Sequence, residues 1–296
     1  MFKYGGLLLV GLMVGTIARA FMLKIDYRQF PSFPSSYIIH LTLGLIASAL
    51  GALVVPALLE EEYIAVTFLT LAAQQFRDVR NMERQSLTNT EATELVPRGE
   101  AYIEGIAKLF EARNYMALIT SLFTSLVYYY TNYILAIITG AVISYLLHLF
   151  MKGPRLADIA DIEITPLNFE GKNIGIGDVI IMNVGEKEAL ERWRNEGIGI
   201  KIIPRDEDAR ATLINLGQRQ AIVHDLSVLM GIKLDKGLQH FTPLARLNID
   251  YGTLNIIIIP QEPDKKFIKK AIEKIPVLES SQQKPLKSKM GKKAAD

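Results

Sequence analysis

The run from Tyr37 to Leu59 constrains this chain most, because its only strongly polar member is His40. Glu60-Glu61-Glu62 follows at once and must stay in water. About 17–25 apolar residues carry a helix across a bilayer, so this run predicts a membrane span. Residues 5–22 are apolar over a comparable length. Only Lys3 precedes them, and Arg19 followed by Phe21-Met22-Leu23 offers no small-residue cleavage site, so they read as a retained helix rather than a signal peptide. Gly11 and Gly15 within that helix would let another helix approach closely. Residues 115–130 and 133–151 are two further apolar runs joined by Thr131-Asn132, a joint short enough to predict a helical hairpin. Tyr128, Tyr129, Tyr130 and Tyr133 cluster at its turn, where amphipathic rings suit the headgroup layer. Residues 63–73 are apolar but short, and Gln74-Gln75-Phe76 must complete a fifth crossing. His40 and His148 lie in or beside spans, where a histidine near a helix end reaches the interface.

Orientation follows from the basic residues. Lys24 and Arg28 in a loop over 23–36, broken by Pro31 and Pro34, share a side with the six basic residues from Arg77 to Arg113 and with the C-terminal half. Lysine and arginine in short loops favour the cytoplasm. Five spans therefore place the N-terminus outside and the C-terminal half in the cytosol. Residues 86–93, rich in Ser, Thr and Asn, read as a loop.

Within the polar stretch 77–114, residues 102–107 spell Tyr102-Ile103-Glu104-Gly105-Ile106-Ala107. Ile103, Ile106 and Phe110 recur at spacings of three and four, with Glu100, Glu104, Lys108 and Glu111 opposite. This is amphipathic helical spacing at a water–membrane junction. Glu104 stands four residues before Lys108, the favoured order for a helical ion pair. Gly105 costs such a helix roughly 1 kcal/mol relative to Ala, which makes sense where something packs close.

That hexapeptide, with the preceding Glu94-Leu95-Val96-Pro97-Arg98-Gly99, resembles the signature of the YIEGIA family of bacterial membrane proteins. The resemblance covers most of the chain. It implies a setting in endospore-forming bacteria, a small partner called a capping subunit, and a suspected proteolytic role. The hexapeptide, Tyr102 to Ala107, would then be the motif that meets partners.

Most charged residues fall after residue 151, where the composition becomes that of a soluble domain. Residues 179–183 and 198–203 read as strands, 186–195 and 208–216 as helices, and 220–224 as a short strand. Residues 254–260, with four consecutive Ile, read as a strand buried on both faces. Residues 264–275 read as a closing amphipathic helix. Strands alternating with helices predict a largely parallel sheet. The tail over 280–296 is Lys-rich and polar, and reads as disordered. The expected domains are therefore 1–151, a multi-span helical membrane domain whose loop 77–114 carries the hexapeptide, then a cytosolic α/β domain over 152–279, then the tail.

Chemistry is constrained by what is missing. The chain has no Cys and four His, at 40, 148, 224 and 240, and it has no His-Glu-x-x-His, so no disulfide, thiolate site or such zinc centre is expected. No cofactor and no nucleic-acid partner is indicated. Gly175-Ile176-Gly177-Asp178 contains Gly-x-Gly-Asp, resembling intramembrane aspartyl proteases, but such catalysis needs two paired carboxylates within the membrane, and Asp178 precedes a polar-domain strand. The same glycines precede a strand rather than follow one, the wrong order for a dinucleotide fingerprint. His224-Asp225, with Ser227 nearby, would sit where ligands gather if a strand ended there. Glu104, Asp178, His224 and Asp225 are thus the candidate catalytic residues. The reading that follows is a membrane platform for partner proteins. A tethered protease restrained by the capping subunit is the alternative, and a transporter would need more polar lining than His40 and His148 supply.

Overall fold

The computed structural model describes residues 3–26, 34–91, 96–151, 153–231 and 241–295. Arg28, Pro31, Glu94 and His240 lie outside them. The chain divides into two compact units, Met1–Ser86 with Ile106–Lys152, and Leu87–Gly105 with Gly153–Asp296.

The first unit is helical: α1 (Gly5–Asp26), α2 (Pro34–Leu59), α3 (Tyr63–Glu91), α4 (Glu100–Tyr130) and α5 (Tyr133–Met151). The last residues of α3 and the first of α4 belong to the second unit. By length and composition, α1 over Gly5–Leu23 and α2 over Tyr37–Leu59 can cross a membrane, whereas the apolar part of α5, Tyr133–Leu149, is shorter. Small residues set how the helices meet. A Cβ on Gly15 would lie 2.5 Å from Ser48 Oγ and 2.9 Å from Ser121 Cβ, and one on Gly11 would overlap Ser125 Oγ. The Ser121 hydroxyl donates to the Ser48 carbonyl at 2.6 Å. Such close contact between small residues is how helices associate in lipid, where apolar burial supplies no drive.

The surface of this unit is more apolar than that of a water-soluble bundle, and its interior mixes apolar side chains with small polar ones. Ser48, Thr120, Ser121, Thr124 and Ser125 are fully buried, while Phe21, Ile38, Ile64, Phe68 and Tyr145 are exposed. His40 lies inside the unit. It is buried, its Nδ1 lies 3.2 Å from an Arg19 guanidinium nitrogen, and its ring packs edge-on against Phe110 at 4.6 Å. Arg19 is itself fully buried and also donates to Asn114 Oδ1 at 3.4 Å. A buried guanidinium needs acceptors, and His40 is one of them. The expected loop over 86–93 is helical as far as Glu91: Ser, Thr and Asn lower helix propensity only modestly, and no Gly or Pro interrupts the turn.

In the second unit, α6 (Leu156–Ile159) leads into β1 (Ala160–Thr165), followed by β2 (Asn168–Glu170), β3 (Asn173–Ile176), β4 (Val179–Asn183) and α7 (Lys187–Glu196). Then come β5 (Ile198–Pro204), α8 (Glu207–Ile214), α9 (Leu216–Met230), β6 (Leu244–Leu247), β7 (Leu254–Ile258), α10 (Lys265–Glu273) and α11 (Lys289–Ala295). The main sheet has the order β1-β5-β7-β6, and β2-β3-β4 form a second. Every pairing is antiparallel, so the expected parallel sheet is corrected. The alternation of strands and helices was real, but β7 inserts between β5 and β6, and β1 adds to the edge. β7 is buried along its whole length. Leu254, Ile256 and Ile258 join one core with α9 and α10, while Ile257 joins the other, with Trp193 and Phe241. Isoleucines face each other across the ladder at Ile200↔Ile256 and Ile162↔Ile202.

Residues 220–224 are not a strand but lie within α9, which Asn215 caps through Gln218 N. The stretch over 280–296, expected to be disordered, carries 3-10 turns at Glu279–Ser281 and Pro285–Lys287 before α11, and Ser281 is fully buried.

Candidate functional site

The first four residues of the hexapeptide, Tyr102 to Gly105, belong to the second unit, as does the turn that precedes their helix. Gly99 has φ +84°, a left-handed value that Gly adopts freely, and its carbonyl accepts from Tyr102 and Ile103 N–H to start α4. Helix starts leave N–H groups without intrahelical partners. Here a remote side chain shares one of these donors: Gln220 Oε1 on α9 also accepts from Tyr102 N, at 3.3 Å. The turn before it is held by Glu91, whose carboxylate accepts from the backbone N–H groups of Arg98 and Gly99, the latter at 3.0 Å. His224 Nδ1 lies 2.9 Å from the Val96 carbonyl, so the ring donates there. The Tyr102 hydroxyl donates to Asp225 Oδ1 at 3.3 Å, and its ring meets His224 edge-on at 6.1 Å.

Close approach explains two glycines. A Cβ on Gly99 would overlap the Gln220 amide. One on Gly105 would lie 2.7 Å from Ser280 Oγ and 3.8 Å from Leu278 Cδ1. The chain's end is fixed in turn by Gln218, whose Oε1 accepts from Leu278 N at 2.8 Å and Ser281 Oγ at 2.9 Å, while its Nε2 donates to Pro276 O at 3.3 Å. Residues 96–105 thus form a strap between α9 and residues 278–280.

Tyr102, Ile103, Gly105, Ile106 and Ala107 are buried, and Glu104 is half-buried. The motif is therefore spent on packing inside the protein. Of the candidate catalytic residues, the structure brings His224 and Asp225 to the strap. Asp178 is not part of this hydrogen-bonded group; it stands exposed on the two-residue turn between β3 and β4, beside Gly177 at φ +55°. The Ser227 hydroxyl donates to the Val223 carbonyl one turn back at 2.6 Å, so His224 and Ser227 do not form a nucleophile–base pair.

Burial pushes the Asp225 carboxyl up to about 7, against the opposing pull of the Tyr102 hydroxyl and the Arg98 charge. A group near that value can exchange a proton at neutral pH. Its neighbours are nevertheless a phenol and a guanidinium, not the second carboxylate an aspartyl dyad requires. Among the described residues, no group of three or more His, Cys, Asp or Glu side chains could hold a metal ion. Gln218, Gln220, Glu91 and Arg98 do as much as the hexapeptide to build the site, and no local pattern marks them.

Residues 7–288 match the family described as YIEGIA protein. The uncharacterized protein YphB of Bacillus subtilis (strain 168) is 42 % identical over 279 residues, which cover 94 % of each chain. No solved structure matches.

Proposed function

The chain belongs to the YIEGIA family, and from that premise we propose that it is a multi-pass membrane protein whose cytosolic domain is a platform for partner proteins. In this reading α1 to α5 each cross the bilayer, the N-terminus lies outside and residues 153–296 lie in the cytosol. The observation that carries it is the apolar surface of the first unit, with outward Phe21, Ile38, Ile64 and Phe68 around buried serines and threonines. Water would penalise that surface, whereas lipid accepts it. The family's association with endospore formers supports a role in sporulation, and the family's small capping subunit is the first partner to seek. Because the hexapeptide is buried, it builds the platform, and the partner binds other surfaces of the same unit.

The chain lacks Cys, so single introduced cysteines report topology directly. Thr131→Cys should react with an impermeant maleimide on intact cells, and Lys187→Cys only after lysis. Labelling of both from the same side would refute the five-span reading. A tethered protease is favoured by one observation alone, the carboxyl of Asp225 poised near neutrality. Its test is the fate of a candidate substrate in cells carrying Asp225→Asn. Continued loss of that substrate would remove Asp225 from catalysis.

A further inference from the structure

We propose that the outer face of α10 is a docking surface for anionic lipid headgroups. Ile268, Ala271 and Ile272 turn inward into the core. The opposite side exposes Lys265, Lys266, Lys269 and Lys270, and Lys274 follows at the C-cap. These lysines are spaced so that they repel one another. Lys265 and Lys269, Lys266 and Lys270, and Lys270 and Lys274 are each four apart, the separation at which like charges destabilise a helix.

The nearby acids do not neutralise them. Asp264 is committed to capping, accepting from Lys266 and Phe267 N–H. Asp161, the carboxylate that Lys269 faces at longer range, is bound by Arg205 at 2.7 Å. Among the described residues, none of the five lysines lies within ion-pair distance of a carboxylate. Glu262 and Glu273 leave the face positive.

The second observation is Phe267, which is 50 % exposed on this otherwise basic side. It falls on the flank of Lys270 and Lys274, three and seven residues on. Lysines around an aromatic ring are the pairing that holds a helix at a headgroup boundary: the charges meet phosphates while the ring enters the acyl margin. The absence of Arg from the face points the same way. Lys acts as a point charge, suited to laterally mobile headgroups, where nucleic acids favour the bidentate fork of Arg. The α11 turn repeats the pattern, with Met290 79 % exposed beside Lys289, Lys292 and Lys293.

This inference rests on the membrane reading, and one experiment separates the two. Full-length protein is placed in phosphatidylcholine nanodiscs with or without phosphatidylglycerol, and partial lysine acetylation is read by mass spectrometry. Insertion is scored first, and a chain that stays water-soluble without detergent overturns the membrane reading. In inserted protein, phosphatidylglycerol should slow Lys266, Lys270 and Lys274 about fivefold, the factor corresponding to about 1 kcal/mol per basic residue at an anionic surface. Exposed Lys172 and Lys187 should be unaffected, Phe267→Ala should weaken the protection, and added salt should remove it. Equal rates in both discs would overturn the proposal alone. Equal slowing at Lys172 and Lys187 would also overturn it, as would protection conferred by free glycerol phosphate, an acidic polypeptide or an oligonucleotide instead of lipid.

Discussion

Asp225 makes the stability of the second unit depend on pH in an unusual direction. An ordinary aspartate titrates near 3.9, whereas burial raises Asp225 to about 7. Between those values the folded protein holds a proton that the unfolded chain has released, so stability falls as pH rises. The slope is about 1.4 kcal/mol per pH unit, and the whole window from about pH 4 to about pH 7 removes at most about 4 kcal/mol. Above that window both states are ionised, and below it both are protonated, so the contribution is flat at either end. The assay is simple because the chain contains a single Trp, and Trp193 is buried in the second unit against Phe241. Urea unfolding of detergent-solubilised protein followed by Trp emission therefore reports on that unit. The informative quantity is the difference between the native chain and Asp225→Asn, which cancels every other titrating group. That difference should shift by about 2–4 kcal/mol against the native chain as pH rises through the window. Tyr102→Phe, which removes the hydroxyl that favours the ionised form, should extend the decline to higher pH. A difference that stays flat, or moves in favour of the native chain, would refute the assignment of a buried, proton-holding carboxyl.

The two glycines of the strap should respond differently in the same assay. Gly99→Ala must hold a left-handed backbone and displace the Gln220 amide, and should cost about 2–3 kcal/mol, combining roughly 1–2 for the conformation with about 1 for a lost hydrogen bond. Gly105→Ala meets only an exposed serine hydroxyl that can rotate away, so it should be neutral or stabilise by up to about 1 kcal/mol through helix propensity. Gln218→Leu leaves the buried Leu278 N–H without its acceptor. It should cost about 1–3 kcal/mol and hasten tryptic cleavage at Lys287, which Ser288 follows, without changing the rate at Lys187. Ser121→Val removes the hydroxyl that bridges α4 to the Ser48 carbonyl and enlarges a side chain facing Gly15. It should lower the thermal midpoint for loss of helical circular dichroism, while an exposed control, Ile64→Val, should not.

What the residues disclosed on first reading follows the range of the forces involved. The apolar runs, the Thr131-Asn132 joint and the Gly11–Gly15 pair are local signals: the runs are helical in α1, α2, α4 and α5, the joint separates α4 from α5, and small side chains pack against both glycines. The buried character of residues 254–258 was equally plain, because four isoleucines in a row leave no polar face. The direction of its neighbours was not, since pairing depends on where β1 and β6 land, and both are short and only partly buried. The alternation of Ala160, Ile162 and Ile164 with Asp161 and Glu163 did mark β1, and is the signal that reading passed over. Gly105 announced a close neighbour, and Ser280 is that neighbour. Nothing local could identify it, nor pair Tyr102 with an aspartate 123 positions away. His224 and Asp225 stand out by their adjacency, at an expected strand end, and a helix presents them instead.

The strap also has consequences for biogenesis. Its tyrosine leaves the ribosome long before α9 exists to receive it, and Leu278 and Ser281, which seat the Gln218 amide, come later still. A unit assembled from such distant pieces cannot close before residues 278–281 have been made. Throughout that interval Tyr102 and Ile103 offer an uncovered apolar surface, so the nascent chain stays vulnerable to aggregation and proteolysis until residues 278–281 emerge.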